Sequence, residues 1–300
     1  MAVSANDIKK KIIATENMSK ITKAMQMVSV AKLAKTEHRV KFFREYHSHI
    51  IEILSTLKES EYIINHPFTT NNHNQQTKKI GCVIITTNRG LVGGYNNSLF
   101  KMLKESHGLD KLFVDSQTES NMDNLLFKYY ITGSKGNNFA NNELPKETAK
   151  LYSFPDEVHY IDTLELASDL INDYLSGEVH KIVIIYQDFI SKLTQEATMQ
   201  TLLPLKFKKS KQKININYEI SPNMKDVGDK LLVQYVMTSL YEIFLSANLS
   251  EHAARMNAMS SATDNAHDII KESKLIFNRA RQAAITQELN EIVAGANAVN

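Results

Sequence analysis

The stretch from residue 7 to residue 54 reads DIKKKIIATENMSKITKAMQMVSVAKLAKTEHRVKFFREYHSHIIEIL and contains neither glycine nor proline. Its apolar residues recur mostly at intervals of three and four, as they do on one face of an α-helix. They are Ile8, Ile12, Met18, Ile21, Met25, Val28, Leu33, Val40, Phe43, Ile50 and Leu54. The pattern predicts one long amphipathic helix over residues 1–60.

Glycine and proline lie almost entirely in the middle of the chain. All five prolines fall between Pro67 and Pro222, and nine of the ten glycines fall between Gly81 and Gly228. In a helix interior, proline costs about 3 kcal/mol and glycine about 1 kcal/mol. Residues 229–294 contain neither residue, and a second apolar stripe runs through them from Leu232 to Ile292. Residues 229–300 are therefore predicted to form a second long helix.

These two helices are too long to be buried inside one domain of a 300-residue chain. With a rise of 1.5 Å per residue, they would measure about 80 Å and about 100 Å. Each is therefore predicted to bury its stripe against the other, in an antiparallel coiled coil. Their net charges of +5 and −2 favour the pairing slightly, because an exposed ion pair contributes only about 0–1 kcal/mol. The alternative is a series of shorter helices joined by turns.

The middle of the chain predicts an inserted α/β domain. A polar, asparagine-rich segment over residues 61–79 is typical of a linker. Buried parallel strands are predicted at residues 80–87, 129–133 and 181–186, with helices at 96–106 and 163–175. Edge-type extensions are expected at 194–204 and 214–220. Alternating strands and helices favour a Rossmann-like α/β domain over residues 80–228.

We find no pattern typical of a catalytic, cofactor or metal site. Gly90, Gly93 and Gly94 follow a strand, but their spacing matches no phosphate-binding motif, so a tight turn is favoured. His47 and His49 are interpreted as surface histidines, and Cys82 as a buried inert thiol. The lysine cluster at residues 206–213 lacks interleaved aromatic residues, and a solvated loop is favoured over contact with nucleic acid or anionic lipid.

The composition also restricts the class of protein. With 43% hydrophobic and 23% charged residues, the chain is not wholly disordered. No run of eighteen apolar residues predicts a membrane span, and the absence of an apolar or Arg/Ser-rich leader favours a bacterial chain. The single cysteine cannot form an internal disulfide, which fits a reducing compartment.

Three blocks of sequence resemble the gamma subunits of F-type ATP synthases. The first is ITKAMQMV at residues 21–28. The second is SEHAARM at 250–256, followed by ATDNA at 262–266. The third is RARQAAITQEL at 279–289, followed by EIV at 291–293. The resemblance covers the whole chain in order and is strongest at both ends. The sequence departs from the family pattern at Asn88, where aspartate is usual, at Val92 and at Ala294.

This resemblance implies a non-catalytic rotor shaft without a cofactor. The implied partners are three alpha and three beta subunits around the shaft, the epsilon subunit, and the membrane ring of c subunits. Rotation of the shaft would couple ion flow through the c-ring to ATP synthesis in the alpha/beta ring. The implied location is the cytoplasmic face of the bacterial cell membrane, with membrane association only through the complex.

The resemblance also implies which residues contact partners. Contacts with the alpha/beta ring are expected from Met25, Arg255, Arg281, Gln282, Thr286, Glu288 and Glu291, with Met25 and Arg255 near an acidic loop of beta. Contacts with the c-ring or epsilon are expected from Arg44, Tyr218 and Glu219.

Two other classes of protein are compatible with the architecture. An α/β enzyme with helical arms would bind a ligand at the Gly90–Gly94 turn. A coiled-coil adaptor with an inserted non-catalytic α/β domain would have the helices but no enclosing ring of subunits.

Overall fold

The computed structural model describes residues 5–58, 60–70, 78–104, 125–144, 149–206 and 219–299. The chain divides into two compact units. The smaller unit consists of residues 1–31 and 255–300, and the larger unit of residues 32–254.

The described helices and strands include most of the predicted ones in the predicted order, with others between them. The first and the last elements in the sequence are long helices: α1 is Ala5–Leu57 and α6 is Met224–Val299. The five strands are β1 Lys78–Ile85, β2 Leu125–Thr132, β3 Ala149–Tyr152, β4 Lys181–Phe189 and β5 Gln195–Leu203. The remaining α-helices are α2 Glu61–Ile64, α3 Tyr95–Lys104, α4 Ser134–Glu143 and α5 Leu164–Leu175, which follows a 3₁₀ turn at Tyr160–Thr163.

The two terminal helices are each continuous, α1 over 53 residues and α6 over 76. This confirms the prediction of two long helices and excludes the series of shorter ones. Helix α6 begins five residues before the predicted position 229. The side chain of Asn223 accepts a hydrogen bond from the Asp226 backbone N–H at 2.9 Å and donates to the Asp226 carboxylate at 2.8 Å, which caps the first turn. Gly228 lies inside this helix, where a Cβ atom would be 3.1 Å from the ring of Tyr62.

In each unit, α1 and α6 pack antiparallel. In the smaller unit, Ile8 and Ile12 cluster with Ile270, and Thr22 contacts Thr263. In the larger unit, Arg39 contacts Tyr241 and His47 contacts Thr238. Because the residue number falls along α6 as it rises along α1, the helices run in opposite directions. The antiparallel pairing is confirmed.

The face of α1 that is buried differs from the predicted stripe. The buried positions alternate at intervals of four and three throughout the helix, with half-buried residues at the intervening positions. They are Ile8, Ile12, Ser19, Thr22, Ser29, Leu33, Thr36, Val40, His47, Ile50, Leu54 and Leu57. The predicted residues Met18, Ile21 and Val28 are each 56% exposed. The prediction was wrong there because the heptad repeat continues through serine and threonine, which a search for apolar residues passes over.

The α/β domain contains one five-stranded sheet in the order β3-β2-β1-β4-β5. Strand β1 lies between β2 and β4 and is parallel to both, with Cys82 opposite Tyr129 and Val183. Strand β3 is parallel to β2, and β5 is antiparallel to β4 at the other edge. The short strand β3 was not predicted, because only Tyr152 of its four residues is buried.

Helices cover both faces of the sheet. One face packs against the C-terminal half of α1, against α5 and against α6, in a core that includes Leu54, Leu170, Ile184 and Leu240. The opposite face packs against α3 and α4, in a core that includes Leu99 and Ala140. Burial on both faces explains the continuous apolar runs in β1 and β4.

The predicted linker, residues 61–79, contains ordered structure in its first half. Helix α2 begins after Ser60, whose hydroxyl accepts a hydrogen bond from the Ile63 N–H. Phe68 is buried and its carbonyl accepts a hydrogen bond from Leu205 N–H at 2.6 Å. Of the predicted extension at 214–220, only Glu219 and Ile220 are among the described residues, and they belong to neither a helix nor a strand.

Candidate functional site

The smaller unit has a polar seam, which we define as Ser19, Thr22, Ser29, Thr263 and Ser273. All five side chains are buried between α1 and α6. The hydroxyls of Thr22 and Thr263 lie 2.7 Å apart across the two helices. The other hydroxyl contacts are local, such as Ser29 donating to the Met25 carbonyl at 2.9 Å. Small hydroxyl-bearing residues therefore occupy positions that a coiled coil normally fills with large apolar side chains.

The outer surface of the same unit carries many large apolar side chains. Met18, at 56% exposed, is typical of the set. The exposed set comprises Ile13, Met18, Ile21, Met27, Val28, Val30, Ile269, Leu275 and Ile276. An isolated two-helix coil normally buries such residues, so this unit departs from that pattern here, although Ile8, Ile12 and Ile270 are buried. A large exposed apolar surface of this kind is typical of an interaction site.

The last part of α6 is exposed on all sides. Every side chain from residue 281 to residue 295 is exposed. Ile285, Leu289 and Ile292 follow one another at intervals of four and three, so they form an apolar stripe along the helix. The described residues of α1 begin only at Ala5, and Ala280 packs against the cluster that contains Ile8. No described part of α1 therefore covers the apolar stripe.

The structure brings five of the predicted ring-contact residues together at this stripe. Arg281 and Glu288 precede Ile285 and Ile292 by four residues each, so they lie on the same side of the helix as the stripe. The other three, Gln282, Thr286 and Glu291, are exposed on the same segment. The Thr286 hydroxyl donates to the Gln282 carbonyl at 2.9 Å, and Gln287 donates to the Glu291 carboxylate at 3.0 Å.

The other two predicted ring-contact residues lie in the smaller unit, away from the last part of α6. Met25 on α1 and Arg255 on α6 are both half-buried. Neither is fully enclosed within the chain, so each retains surface that a partner can contact.

The three residues predicted to contact the c-ring or epsilon differ in their surroundings. The Arg44 guanidinium Nε lies 3.5 Å from the Glu242 carboxylate, and its side chain is 55% exposed. Glu219 is exposed. Tyr218 lies outside the described residues. Arg44 and Glu219 therefore each retain exposed surface.

His47 is buried, and the prediction that it is a surface histidine was wrong. It is 5% exposed and occupies a position of the α1 heptad. Its ring stacks on Tyr235 with centroids 5.5 Å apart, and its Nδ1 lies 3.1 Å from the Thr238 hydroxyl. Its Nε2 lies 3.3 Å from the Glu242 carboxylate. Burial lowers the pKa of His47, while the Glu242 charge acts in the opposite direction.

The glycine-containing turn after β1 has a defined conformation. Leu91 and Gly93 have φ angles of 63° and 59°, in the left-handed region. The side chain of Asn96 closes the turn, accepting from Thr87 N–H at 3.2 Å and donating to the Thr87 hydroxyl at 2.8 Å. The Arg89 guanidinium pairs with the Asp156 carboxylate at 2.9 Å. These side-chain contacts hold the turn in place.

Asn88, which departs from the family pattern, uses both ends of its amide. The Nδ2 group donates to the Phe154 carbonyl at 2.8 Å, and the Oδ1 atom accepts from Ser134 N–H at 3.3 Å. An aspartate could accept the second hydrogen bond but could not donate the first. Asn88 thus links the segments that follow β1, β2 and β3 by hydrogen bonds from an uncharged side chain.

Chemically reactive groups are scarce among the described residues. Cys82 is 0% exposed, and burial raises the pKa of its thiol to about 12, which keeps it protonated and unreactive. Over the described ranges, no three histidine, cysteine, aspartate or glutamate side chains are grouped as a metal site would require. None of the described helices has the length and hydropathy needed to span a bilayer.

Comparison with known proteins agrees with this geometry. Residues 4–299 match the family model described as ATP synthase. The ATP synthase gamma chain of Glaesserella parasuis is 36% identical over 298 residues, covering 98% of this chain and 99% of the relative.

Solved structures share the fold at lower identity. A chain of the Euglena gracilis mitochondrial ATP synthase superposes with a TM-score of 0.65 at 16% identity, covering 98% of this chain and 94% of the other. A chain from the central stalk and c-ring structure of the Tetrahymena thermophila mitochondrial ATP synthase gives 0.57 at 19% identity, covering 81% and 99%. From the family match and the identity to the Glaesserella relative, the chain belongs to the ATP synthase gamma-chain family.

Proposed function

We propose that this chain is the central-stalk subunit of an ATP synthase and acts as its non-catalytic rotor shaft. In this role, rotation driven by ion flow through a membrane c-ring turns the shaft inside a ring of three alpha and three beta subunits, where ATP is made. The family membership supports the role of a gamma chain. The structures that share the fold come from assemblies described as F1, central stalk and c-ring.

The observation that carries the proposal is the outward-facing apolar surface of the smaller unit. Met18, Ile21 and Val28 are exposed, while Ser19, Thr22 and Ser29 beside them are buried. Exposed large apolar side chains do not stabilise an isolated helix pair, and they lower its solubility. The arrangement is favourable when other subunits enclose the helix pair and bury this surface. A ring of subunits is such an enclosure.

The mechanism requires only an asymmetric surface. The three beta subunits are chemically identical, but two packed helices present a different surface in each direction. Each beta subunit therefore contacts a different set of residues and is biased toward a different conformation. When the shaft turns, the bias moves to the next subunit, so rotation and the catalytic state are linked in both directions.

We further propose how individual residues take part. The exposed end of α6 would insert into the ring, with Ile285, Leu289 and Ile292 in apolar contact. Arg281, Gln282, Thr286, Glu288 and Glu291 would make polar contacts beside them, and Met25 and Arg255 would face an acidic loop of beta. Arg44, Tyr218 and Glu219 would contact the c-ring or the epsilon subunit. The complex would hold the chain peripherally at the cytoplasmic face of the membrane.

Co-purification tests this proposal against the adaptor alternative. The chain carries an affinity tag at a position that does not obstruct α6 and is expressed in its native organism. Alpha and beta subunits in a three-to-three ratio, together with ATP hydrolysis by the purified complex, are expected for a rotor. A tagged chain that is folded but recovers neither alpha nor beta would overturn the proposal and favour an adaptor. Thermal stabilisation of the isolated chain by nucleotide would instead favour an enzyme.

A further inference from the structure

Helix α6 crosses the carboxyl edge of the sheet within the larger unit. Leu240 and Phe244 lie in the core on one face of the sheet. Three helical turns later, Ala254 packs against the core on the opposite face. Between these positions, α6 passes the ends of β1 and β4.

This edge is where α/β domains usually bind ligands. After β1, the chain continues to β2 on one side of β1, whereas β4 is added later on its other side. The connections that follow β1 and precede β4 therefore lead to opposite sides of this strand pair. In open α/β sheets, the crevice at the carboxyl ends of two such strands is the common ligand site. Here a helix of the same chain occupies that position.

The contact begins with Tyr95, the first residue of α3. Its hydroxyl donates to the Ala247 carbonyl on α6 at 3.1 Å, and the side chain is 5% exposed. The side chain of Gln187, near the end of β4, donates to the Tyr95 carbonyl at 3.0 Å and also to the Ser98 hydroxyl. Gln187 therefore holds the backbone that positions the Tyr95 ring.

A second contact lies one residue earlier on α6. The Ser246 hydroxyl donates to the Asp188 carboxylate at 2.7 Å and accepts from the Phe189 N–H at 3.1 Å. The end of β4 is thus hydrogen-bonded to α6 through both its backbone and a side chain. Together, Tyr95 and Ser246 connect two parts of the carboxyl edge to adjacent residues of the helix.

We infer that Tyr95 and Ser246 are positioning residues for energy coupling, which attach the α/β domain to α6 so that a rotation applied to the domain is transmitted to the helix. The inference rests on the proposed rotor function. Apolar packing between the sheet and the helix has no directional preference of its own. Hydrogen bonds require defined distances and angles, so these contacts hold the helix in one orientation relative to the sheet.

Amide hydrogen exchange on the full chain tests the attachment. Tyr95→Phe removes the hydroxyl that contacts α6, and Tyr186→Phe is the matched control. Tyr186 is also 5% exposed, and its hydroxyl donates at 3.1 Å to Gln200, inside the sheet. Loss of one net hydrogen bond should accelerate exchange in residues 243–251 about two- to tenfold in Tyr95→Phe. Equal exchange in that segment for the two variants would overturn the inference.

Ion pumping by the complete complex tests the consequence. The double variant Tyr95→Phe, Ser246→Ala should pump fewer ions per ATP hydrolysed than the wild type, while Tyr186→Phe matches the wild type. If the wild-type complex pumps normally and the double variant does too, the inference fails and the rotor function stands. If the wild-type chain recovers no alpha or beta subunits, the rotor function itself fails. Should the double variant not assemble, the exchange experiment on Tyr95→Phe decides.

Discussion

The hydroxyl oxygens of Thr22 on α1 and Thr263 on α6 lie 2.7 Å apart across the polar seam of the smaller unit. Each also lies near a carbonyl of its own helix, Ser19 at 3.1 Å and Met259 at 2.8 Å. One hydroxyl can therefore donate across the seam while the other donates to its own helix. The two residues form a small hydrogen-bonded unit at positions where apolar packing is usual.

Thr22→Val should destabilise the isolated chain by about 0.5–1.5 kcal/mol, because it removes the hydrogen bond across the seam while the Thr263 hydroxyl keeps the Met259 carbonyl as a partner. The double variant Thr22→Val, Thr263→Val should recover most of that loss, since neither hydroxyl then remains. Chemical denaturation of the two single variants and the double variant measures the coupling. Additive losses would show that the two hydroxyls do not interact.

Replacing the exposed apolar residues should separate stability from assembly. Ile21→Ser, which removes an apolar side chain that is 56% exposed, should change the melting temperature of the isolated chain little. It should weaken co-purification with alpha and beta subunits. Ile12→Ser is the comparison, because Ile12 is buried and its loss should lower the melting temperature directly. An Ile21→Ser chain that assembles as well as the wild type would count against an enclosing partner.

Asn88→Asp should destabilise the larger unit by about 1–3 kcal/mol. The Phe154 carbonyl would lose its donor and would face a carboxylate oxygen instead. Lowering the pH toward 4 should reduce the difference, because a protonated carboxyl can donate again. Asn142→Asp, at an exposed position of α4, is the matched control and should cost little. Thermal melts of both variants at neutral and acidic pH provide the measurement.

His66 should make the stability of the larger unit decrease below about pH 6.5. Its Nδ1 accepts from Phe68 N–H at 3.1 Å, so the proton resides on Nε2, which lies 3.1 Å from the Asp229 carboxylate. Burial lowers the pKa of His66, although Asp229 opposes this shift.

The sign of the pH effect follows from that lowered pKa. The neutral ring is favoured in the folded chain, so its contribution is complete above the unfolded pKa and is lost as the pH falls through the folded value. In His66→Asn, which retains an acceptor but does not titrate, the melting temperature should fall less between pH 7 and pH 5. An identical decrease in both proteins would assign the pH effect to other groups, such as the buried His47.

Arg281→Ala should impair ATP synthesis by the assembled complex while leaving the helix content of the isolated chain unchanged. Arg281 is exposed beside the apolar stripe of α6, so its removal affects no described packing. Arg281→Lys keeps the charge but loses the planar guanidinium, and an intermediate rate is expected. Synthesis rates in membrane vesicles, with circular dichroism of the isolated variants, provide the measurement. A wild-type rate for Arg281→Ala would remove this residue from the interface.

The sequence predicted the local structure well where the physical cause was local. Helices α1 and α6 follow from the absence of glycine and proline, whose costs act within a few residues. Strands β1 and β4 follow from short apolar runs that only a sheet buried on both faces requires. The boundary of α6 was displaced because a capping pair, Asn223 and Asp226, outweighs the cost of Gly228 in the first turns.

The ring-contact residues were predicted from resemblance, and their placement depends on the structure. In the structure, Arg281 and Glu288 share an exposed segment of α6 with Ile285 and Ile292. Ser29 and Thr263 were not predicted as seam residues, because serine and threonine give no apolar signal. A strict search for the heptad interval, without regard to residue type, would have found them.

By itself, the amino-acid sequence determined which segments are helical, which are buried strands, and that the two ends must pair. These properties depend on backbone propensity and on periodicity, which each segment carries alone. Only the tertiary structure decided that Met18 and Ile21 face outward, and that Tyr95 donates to Ala247, 152 residues away. Rotating a helix about its own axis changes its internal energy little. Which of two adjacent faces is buried therefore depends on packing against the partner helix and against other parts of the assembly.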